Sequence, residues 1–137
     1  MSTTSNAINL RRIFEEGMNQ NKSEVFDELI APTYVNHDLP TPVPGAEGFK
    51  SVVAMFHSAF PDFHVDLTDV ISEDDFVSSR GYFTGTHRGD FQGIAPTGKR
   101  IKAAYIDIWR VEGGMLIENW VNIDMVGVMQ QLGVMPT

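Results

Sequence analysis

Residues Phe63–Ile71 read FHVDLTDVI, and here the periodicity of the chain changes from helical to two. Phe63, Val65 and Leu67 alternate with polar neighbours, the pattern of a strand with one dry and one wet face. Upstream of this point apolar residues recur at steps of three and four. Leu10, Ile13, Phe14 and Met18 form one helical stripe. Val25, Phe26, Leu29 and Ile30 form a second, with Ser23 placed to cap it and Pro32 to end it. Phe49, Val52, Val53, Phe56 and Phe60 form a third, stopped by Pro61 and Asp62. Downstream the strand pattern continues: SEDD is a turn, FVSSRGYFTGTH and RIKAAYIDIWRV are strands, and EGG turns the chain into MLIENWVNIDM. A short helix, VGVMQQLG, closes the pattern at Gly133. Helices followed by strands predict an α+β fold: a cone-shaped curved antiparallel sheet packed against three N-terminal helices, in a single domain spanning residues 1–137.

Composition narrows the function. A chain of 137 residues with these aliphatics and aromatics can bury a core. Its net charge of −8, with no basic cluster, argues against nucleic acid, whose phosphates are held by Lys and Arg. No apolar run is long enough to cross a bilayer, and MSTTSNAINLRR lacks the basic-then-apolar order of a secretory signal. A cytoplasmic location is expected. Cysteine is absent, so disulfides and thiolate chemistry are excluded.

The candidates for chemistry are polar residues at positions that should face inward. One face of the RIKAAYIDIWRV strand reads Ile101, Ala103, Tyr105, Asp107, Trp109 and Val111. An aspartate between two aromatics is costly to bury unless it is paired or protonated. Period two on the last strand groups Trp120, Asn122 and Asp124, so Asp107 and Asp124 are expected to share one concave space. A half-desolvated carboxylate has a pKa raised toward neutrality and can take a proton from carbon. Structural roles compete: Asp107 can pair with Arg80 or Arg110, and Asp124 can cap the terminal helix. The loop GTHRGDFQGIAPTGKR, Gly85–Arg100, carries His87, and VNHDLP carries His37. His57 and His64 read as structural. No histidine spacing suits a metal, and no phosphate-cradling glycine pattern or nucleophile elbow is present. What remains is acid–base chemistry without a cofactor, or binding alone.

Five stretches together carry a resemblance: VNHDLP, AFPDFHVDLTDVISEDD, GTHRGDFQGIAPTGKRI, IDIWRVEGGMLIENWVNID and QQLG. In this order, from about Tyr34 to Gly133, they resemble the SnoaL-like polyketide cyclases, or ester cyclases, of the nuclear transport factor-like cone superfamily. The resemblance implies that the 85–100 loop contributes to a pocket mouth, with His87 entering there. It further implies that an aspartate near the end of the last strand, matched by Asp124, is acid and base in an intramolecular aldol closure. His87, Asn122 or Tyr105 would stabilise the enolate oxygen. No metal or other cofactor is implied. One departure stands out: where relatives read E-H-W, this chain reads E-N-W, with Asn119 on the face opposite Asp124 by period two.

The expectation is therefore an enzyme of cyclase or isomerase type with catalytic Asp124, His87 and Asp107. His37, Phe14, Phe56, Tyr105, Trp109, Trp120 and Asn122 would line an enclosed apolar pocket for a small hydrophobic molecule of polyketide type. A homodimer through the outer face of the sheet is expected by analogy. The rival expectation is a non-catalytic small-molecule-binding or protein-interaction module of the same fold.

Overall fold

The structure, a computed structural model, describes residues 3–135. Helix α1 (Thr3–Arg12) runs into one π-helical turn (Ile13–Met18), and α2 (Glu24–Leu29) follows. The expected stripes are the buried ones: Leu10, Ile13, Phe14 and Met18, then Val25, Phe26 and Leu29. At the close crossing, a Cβ on Gly17 would collide with the Phe26 ring, so glycine lets the π turn lie against α2. Ser23 occupies the N-cap position of α2, but its side chain makes no capping bond. Helix α3 (Gly45–Ala59) buries Phe49, Val53 and Phe56.

The sheet has five strands: β1 (Ile30–Asn36), β2 (His64–Glu73), β3 (Phe76–Thr86), β4 (Arg100–Glu112) and β5 (Met115–Ile123). Their order is β1-β5-β4-β3-β2. The fold is the expected α+β arrangement, with a curved, unclosed sheet. Four strands pair antiparallel, and β1 adds a parallel edge strand that the periodicity did not predict. Proline explains the omission: Pro32 reads as a helix terminator, yet it is tolerated here because β1 is an edge strand. A short helix, α4 (Met125–Gln131), follows β5.

Strand β4 alternates perfectly: Ile101, Ala103, Tyr105, Asp107, Trp109 and Val111 are buried beneath the helices. Its register on β5 determines what faces them. Beside the Gly113–Gly114 turn, Val111 pairs with Leu116; one step on, Arg110 pairs with Glu118, so Ile117 is an extra, bulged residue. One extra residue moves every later side chain of β5 to the other face. Asn119, Val121 and Ile123 therefore stand opposite Trp109, Asp107 and Tyr105 on the inner face. Trp120 and Asn122 lie on the outer face, correcting their expected placement in the interior. Period two is kept on either side of the bulge, which is why alternation alone gave the wrong face.

The ornate loop after β3 is tied down rather than open. His87 donates its backbone N–H to Lys99 O (2.8 Å) and accepts at its own carbonyl from Gly98 N (2.8 Å). Arg88 N and Gly89 N both donate to Ala59 O at the end of α3. Phe91 packs on Phe56 and Phe60 and fills the core under the loop. Asp62, the last residue of the FPD stretch, accepts from Thr86 N (2.6 Å) and Thr86 Oγ1 (2.8 Å), joining the end of α3 to the end of β3.

Among the described residues, no helix is long and apolar enough to cross a membrane. The close pairing of β2 and β3 yields a stability test. Gly81 lies against the backbone of Asp66, and a Cβ there would overlap the Asp66 carbonyl oxygen. Gly81→Ala must push two paired strands apart, so chemical denaturation should show a loss of about 2 kcal/mol or more.

Candidate active site

Among the described residues, Asp107 is the one carboxylate that the fold carries into the interior. It stands opposite Ser79 on β3 and two residues before Trp109 on the same face. Its Oδ1 accepts from Ser79 N (3.0 Å) and Ser79 Oγ (2.6 Å), and its Oδ2 accepts from Trp109 Nε1 (2.9 Å). Tyr105 OH lies 3.1 Å from Ser79 Oγ, and because the serine proton goes to Asp107, the tyrosine donates. No arginine reaches this carboxylate: Arg80 pairs with Asp69, and Arg110 pairs with Glu118 and Glu112. The competing structural role, an ion pair to Arg80 or Arg110, is not formed. Only 3% of Asp107 is exposed, and this burial raises its pKa to about 6, while the hydrogen bonds from Ser79 and Trp109 oppose the rise. Desolvation wins because three neutral donors replace only part of a full hydration shell.

Asp107 borders a narrow interior cavity of about 40 Å³. Phe14, Phe56 and Trp109 line it as expected, joined by Asn36, Leu39, Val52 and Asn119. Tyr105 lies behind this wall, stacked on Phe83 with ring centroids 4.6 Å apart and bonded to Ser79. Leu39 and Val52 also border a surface groove of about 250 Å³ made by Pro40, Pro42, Ser51, Met55 and Gln92. These two side chains are shared by the cavity and the groove. Gln92 is what the 85–100 loop supplies to that groove.

Several expected site residues lie elsewhere. Asp124 is exposed at the end of β5, and its side chain accepts from Gly127 N (2.9 Å) as the N-cap of α4. The capping role is the one the geometry supports, and the expected sharing of one space with Asp107 is corrected. The bulge at Ile117 is the reason, since it sends the Asp124 side of the strand outward. His87 is completely buried, but at the neck of its loop and not on the cavity wall. Its Nδ1 accepts from Thr97 N (3.1 Å) and contacts Thr97 Oγ1 (3.0 Å), a clamp on the loop rather than a group facing substrate. His37 sits on the rim, stacked on Trp120 (4.9 Å) and hydrogen bonded to Glu118 (2.7 Å). Trp120 and Asn122 border a shallow outer depression of about 280 Å³ with Ile106 and Ile108. Among the described residues, no three histidine, aspartate or glutamate side chains are grouped to hold a metal.

Four participants escaped the sequence reading: Ser79, Tyr34, Asn36 and the inward position of Asn119. Tyr34 and Asn36 alternate within PTYVNH, a strand signal masked by Pro32. Tyr34 is fully buried, stacked on Trp109 (5.8 Å), and donates its hydroxyl to Asn119 Oδ1 (2.6 Å).

The raised Asp107 pKa has a sign that can be measured. Between the ordinary carboxylate value and about 6, the folded chain holds a proton that the unfolded chain has released. This contribution to stability is greatest below about pH 4 and is lost as pH rises to about 6, a change on the order of 2–3 kcal/mol. Urea denaturation of wild type and Asp107→Asn at pH 4.5 and pH 7.5 should show this slope only in wild type. The variant's stability should be lower at acid pH, since an asparagine cannot accept all three donors.

Comparison with known proteins agrees with this architecture. The family model of the SnoaL-like polyketide cyclases matches residues 8–132. A polyketide cyclase candidate from Acidithiobacillus ferrooxidans is 32% identical, with 97% of this chain and 98% of that chain covered and a TM-score of 0.81. IdmH from Streptomyces antibioticus, also described as a polyketide cyclase candidate, is 31% identical over 93% of this chain and 98% of its own, with a TM-score of 0.79. TsrD from Streptomyces laurentii shares the fold at a TM-score of 0.90 and 24% identity, covering 98% and 99% of the two chains. No curated protein matches the chain. With a family model that matches residues 8–132 and relatives of more than 30% identity sharing its fold, this chain belongs to the SnoaL-like polyketide cyclase family.

Proposed function

We propose that this protein is a cofactor-independent acid–base catalyst of ring closure or isomerisation on a hydrophobic carbonyl substrate, with Asp107 as the proton acceptor. One observation carries the reading: a buried carboxylate with no cationic partner, its pKa near 6, borders an apolar cavity. A carbon between two carbonyls gives up its proton to Oδ2, and the C–H electron pair moves onto the carbonyl oxygen as an enolate. The carbanion then attacks a second carbonyl of the same molecule, a C–C bond forms, and the alkoxide takes the proton back from Asp107. Product and substrate are isomers, so no oxidant or co-reactant is consumed. Ser79 and Trp109 fix the carboxylate beside the cavity that it lines, which restricts its geometry toward a bound substrate. The relatives described as polyketide cyclase candidates support a polyketide-type substrate.

The rival reading, a binding module without chemistry, draws on the size of the cavity. About 40 Å³ holds a water-sized group, so a polyketide enters only if the cavity walls part. Deuterium exchange at C2 of 1-phenylbutane-1,3-dione, followed by proton NMR, separates the readings. Wild type should accelerate exchange, with a rate that rises with pH through about 6 as Asp107 ionises. Asp107→Asn should lose at least about a hundredfold, while Asp124→Asn should stay within about twofold and melt at nearly the wild-type temperature, since Asn also caps helices. Binding of the probe without any acceleration would favour the module.

The outer face of the sheet supports a second copy of the chain as partner. Ile106, Ile108 and Trp120 are large apolar side chains 54%, 45% and 38% exposed on neighbouring strands. Sedimentation at micromolar concentration should show a dimer, and Ile106→Glu together with Ile108→Glu should give monomers. A wild-type monomer would remove this part of the proposal.

A further inference from the structure

Asn119 occupies the inner face of β5 opposite Trp109 and is 3% exposed, yet only one end of its carboxamide is used inside the protein. Its Oδ1 accepts the Tyr34 hydroxyl at 2.6 Å. Its Nδ2 has no acceptor among the described residues, and the residue lines the cavity that Asp107 also borders. This Nδ2 is not among the buried polar atoms left without a partner, so it is open to the cavity rather than sealed in protein.

The orientation of the amide follows from its neighbours. Asn36 is the register partner of Asn119 on β1. Its Oδ1 is committed to the backbone N–H groups of Asp38 (2.9 Å) and Leu39 (2.8 Å). The NH₂ end of Asn36 is the end left to face Tyr34, where it opposes the rise that burial imposes on the phenol pKa. The phenol proton goes to Asn119 Oδ1. Because Tyr34 takes Oδ1, the NH₂ is the end of Asn119 left for the cavity. Tyr34 is itself held by stacking on Trp109, whose indole N–H holds Asp107. Donor and carboxylate are mounted on the two sides of one aromatic pair.

We infer that Asn119 is the hydrogen-bond donor that receives the carbonyl oxygen of a β-dicarbonyl substrate, with Tyr34 as the positioning residue that keeps the donor end inward. The inference rests on the reading of Asp107 as base. Asp107 and Asn119 are diagonal neighbours on adjacent antiparallel strands, a separation of roughly 7–8 Å between backbone positions. That spacing lets one substrate place its acidic carbon at the carboxylate and its carbonyl oxygen at the amide. A donor aimed where negative charge develops strengthens its bond as the enolate forms. A neutral carboxamide also keeps this capacity at every pH at which Asp107 titrates.

The test uses the full chain and 1-phenylbutane-1,3-dione. In wild type labelled with nitrogen-15, the Asn119 side-chain NH₂ resonances should move on addition of the probe, saturating with the same Kd that calorimetry gives. Asn119→Asp keeps the shape and the Tyr34 bond but presents an acceptor, so probe binding should weaken at least about tenfold. Tyr34→Phe frees the amide to rotate, so binding and C2 exchange should both fall about three- to tenfold, with the pH midpoint of exchange unchanged. Melting curves identify variants that fail to fold, and the wild-type amide resonances stand without them. Probe binding that needs Asn119 while C2 exchange is absent would overturn the role of Asp107 and leave the donor in place. Unmoved Asn119 amide resonances at saturating probe, or wild-type affinity in Asn119→Asp, would overturn the inference itself.

Discussion

Everything in the interior follows from the requirement that one face of β4 be dry. Six alternate residues of this strand are buried, and the fourth of them is an aspartate. An aliphatic there would only add to the core. A carboxylate forces the strands on either side to supply donors, because an uncompensated buried charge costs more than most single contacts return. Ser79 answers from β3 with a backbone and a side-chain donor, and Trp109 answers from β4 itself. The register of β3 on β4 is thereby coupled to the electrostatics of one side chain. Since these donors are neutral, the carboxylate is held in place without being strongly acidified.

The aromatic residues do two jobs at once. Phe56, Phe63, Phe83 and Phe91 pack in stacked and tilted pairs with centroids 5.1–6.2 Å apart, the separations at which such rings attract. They close most of the space between helices and sheet, and what remains beside Asp107 is narrow. A tight, apolar surrounding is what raises the carboxylate pKa, so the packing of the core and the reactivity of the site are the same property seen from two sides. Access then depends on the rim. Leu39, on the proline-rich connection after β1, and Val52, on α3, are shared by cavity and groove.

The loop after β3 shows how a sequence feature that invites a functional explanation can be structural. His87 is fully buried and its Nδ1 is spent on Thr97; its backbone closes the neck of the loop, and Phe91 anchors the tip in the core. The polar relay through Asn36, Tyr34 and Asn119 is built from residues that carry no obvious chemical signature. The useful distinction lies in which polar atoms the fold leaves unsatisfied near the cavity, not in which residue types are reactive in isolation.

Periodicity by itself determined the order of helices and strands, the three apolar stripes and the inward face of β4 with Asp107 on it, because each is a local property of a regular backbone. The FPD stretch and the GTH loop, by contrast, were informative only through their resemblance to a family. The inward face of β5 was decided only by tertiary structure. One bulged residue, Ile117, reverses the alternation, moving Trp120, Asn122 and Asp124 out and Asn119, Val121 and Ile123 in. The edge strand β1 is likewise a tertiary fact, since Pro32 is compatible with a strand only where no neighbour needs its missing N–H. Alternation repeats every two residues and has no memory across an insertion of one. Which side of a strand meets the core is therefore settled by its neighbour's register, and with it which aspartate could become a base.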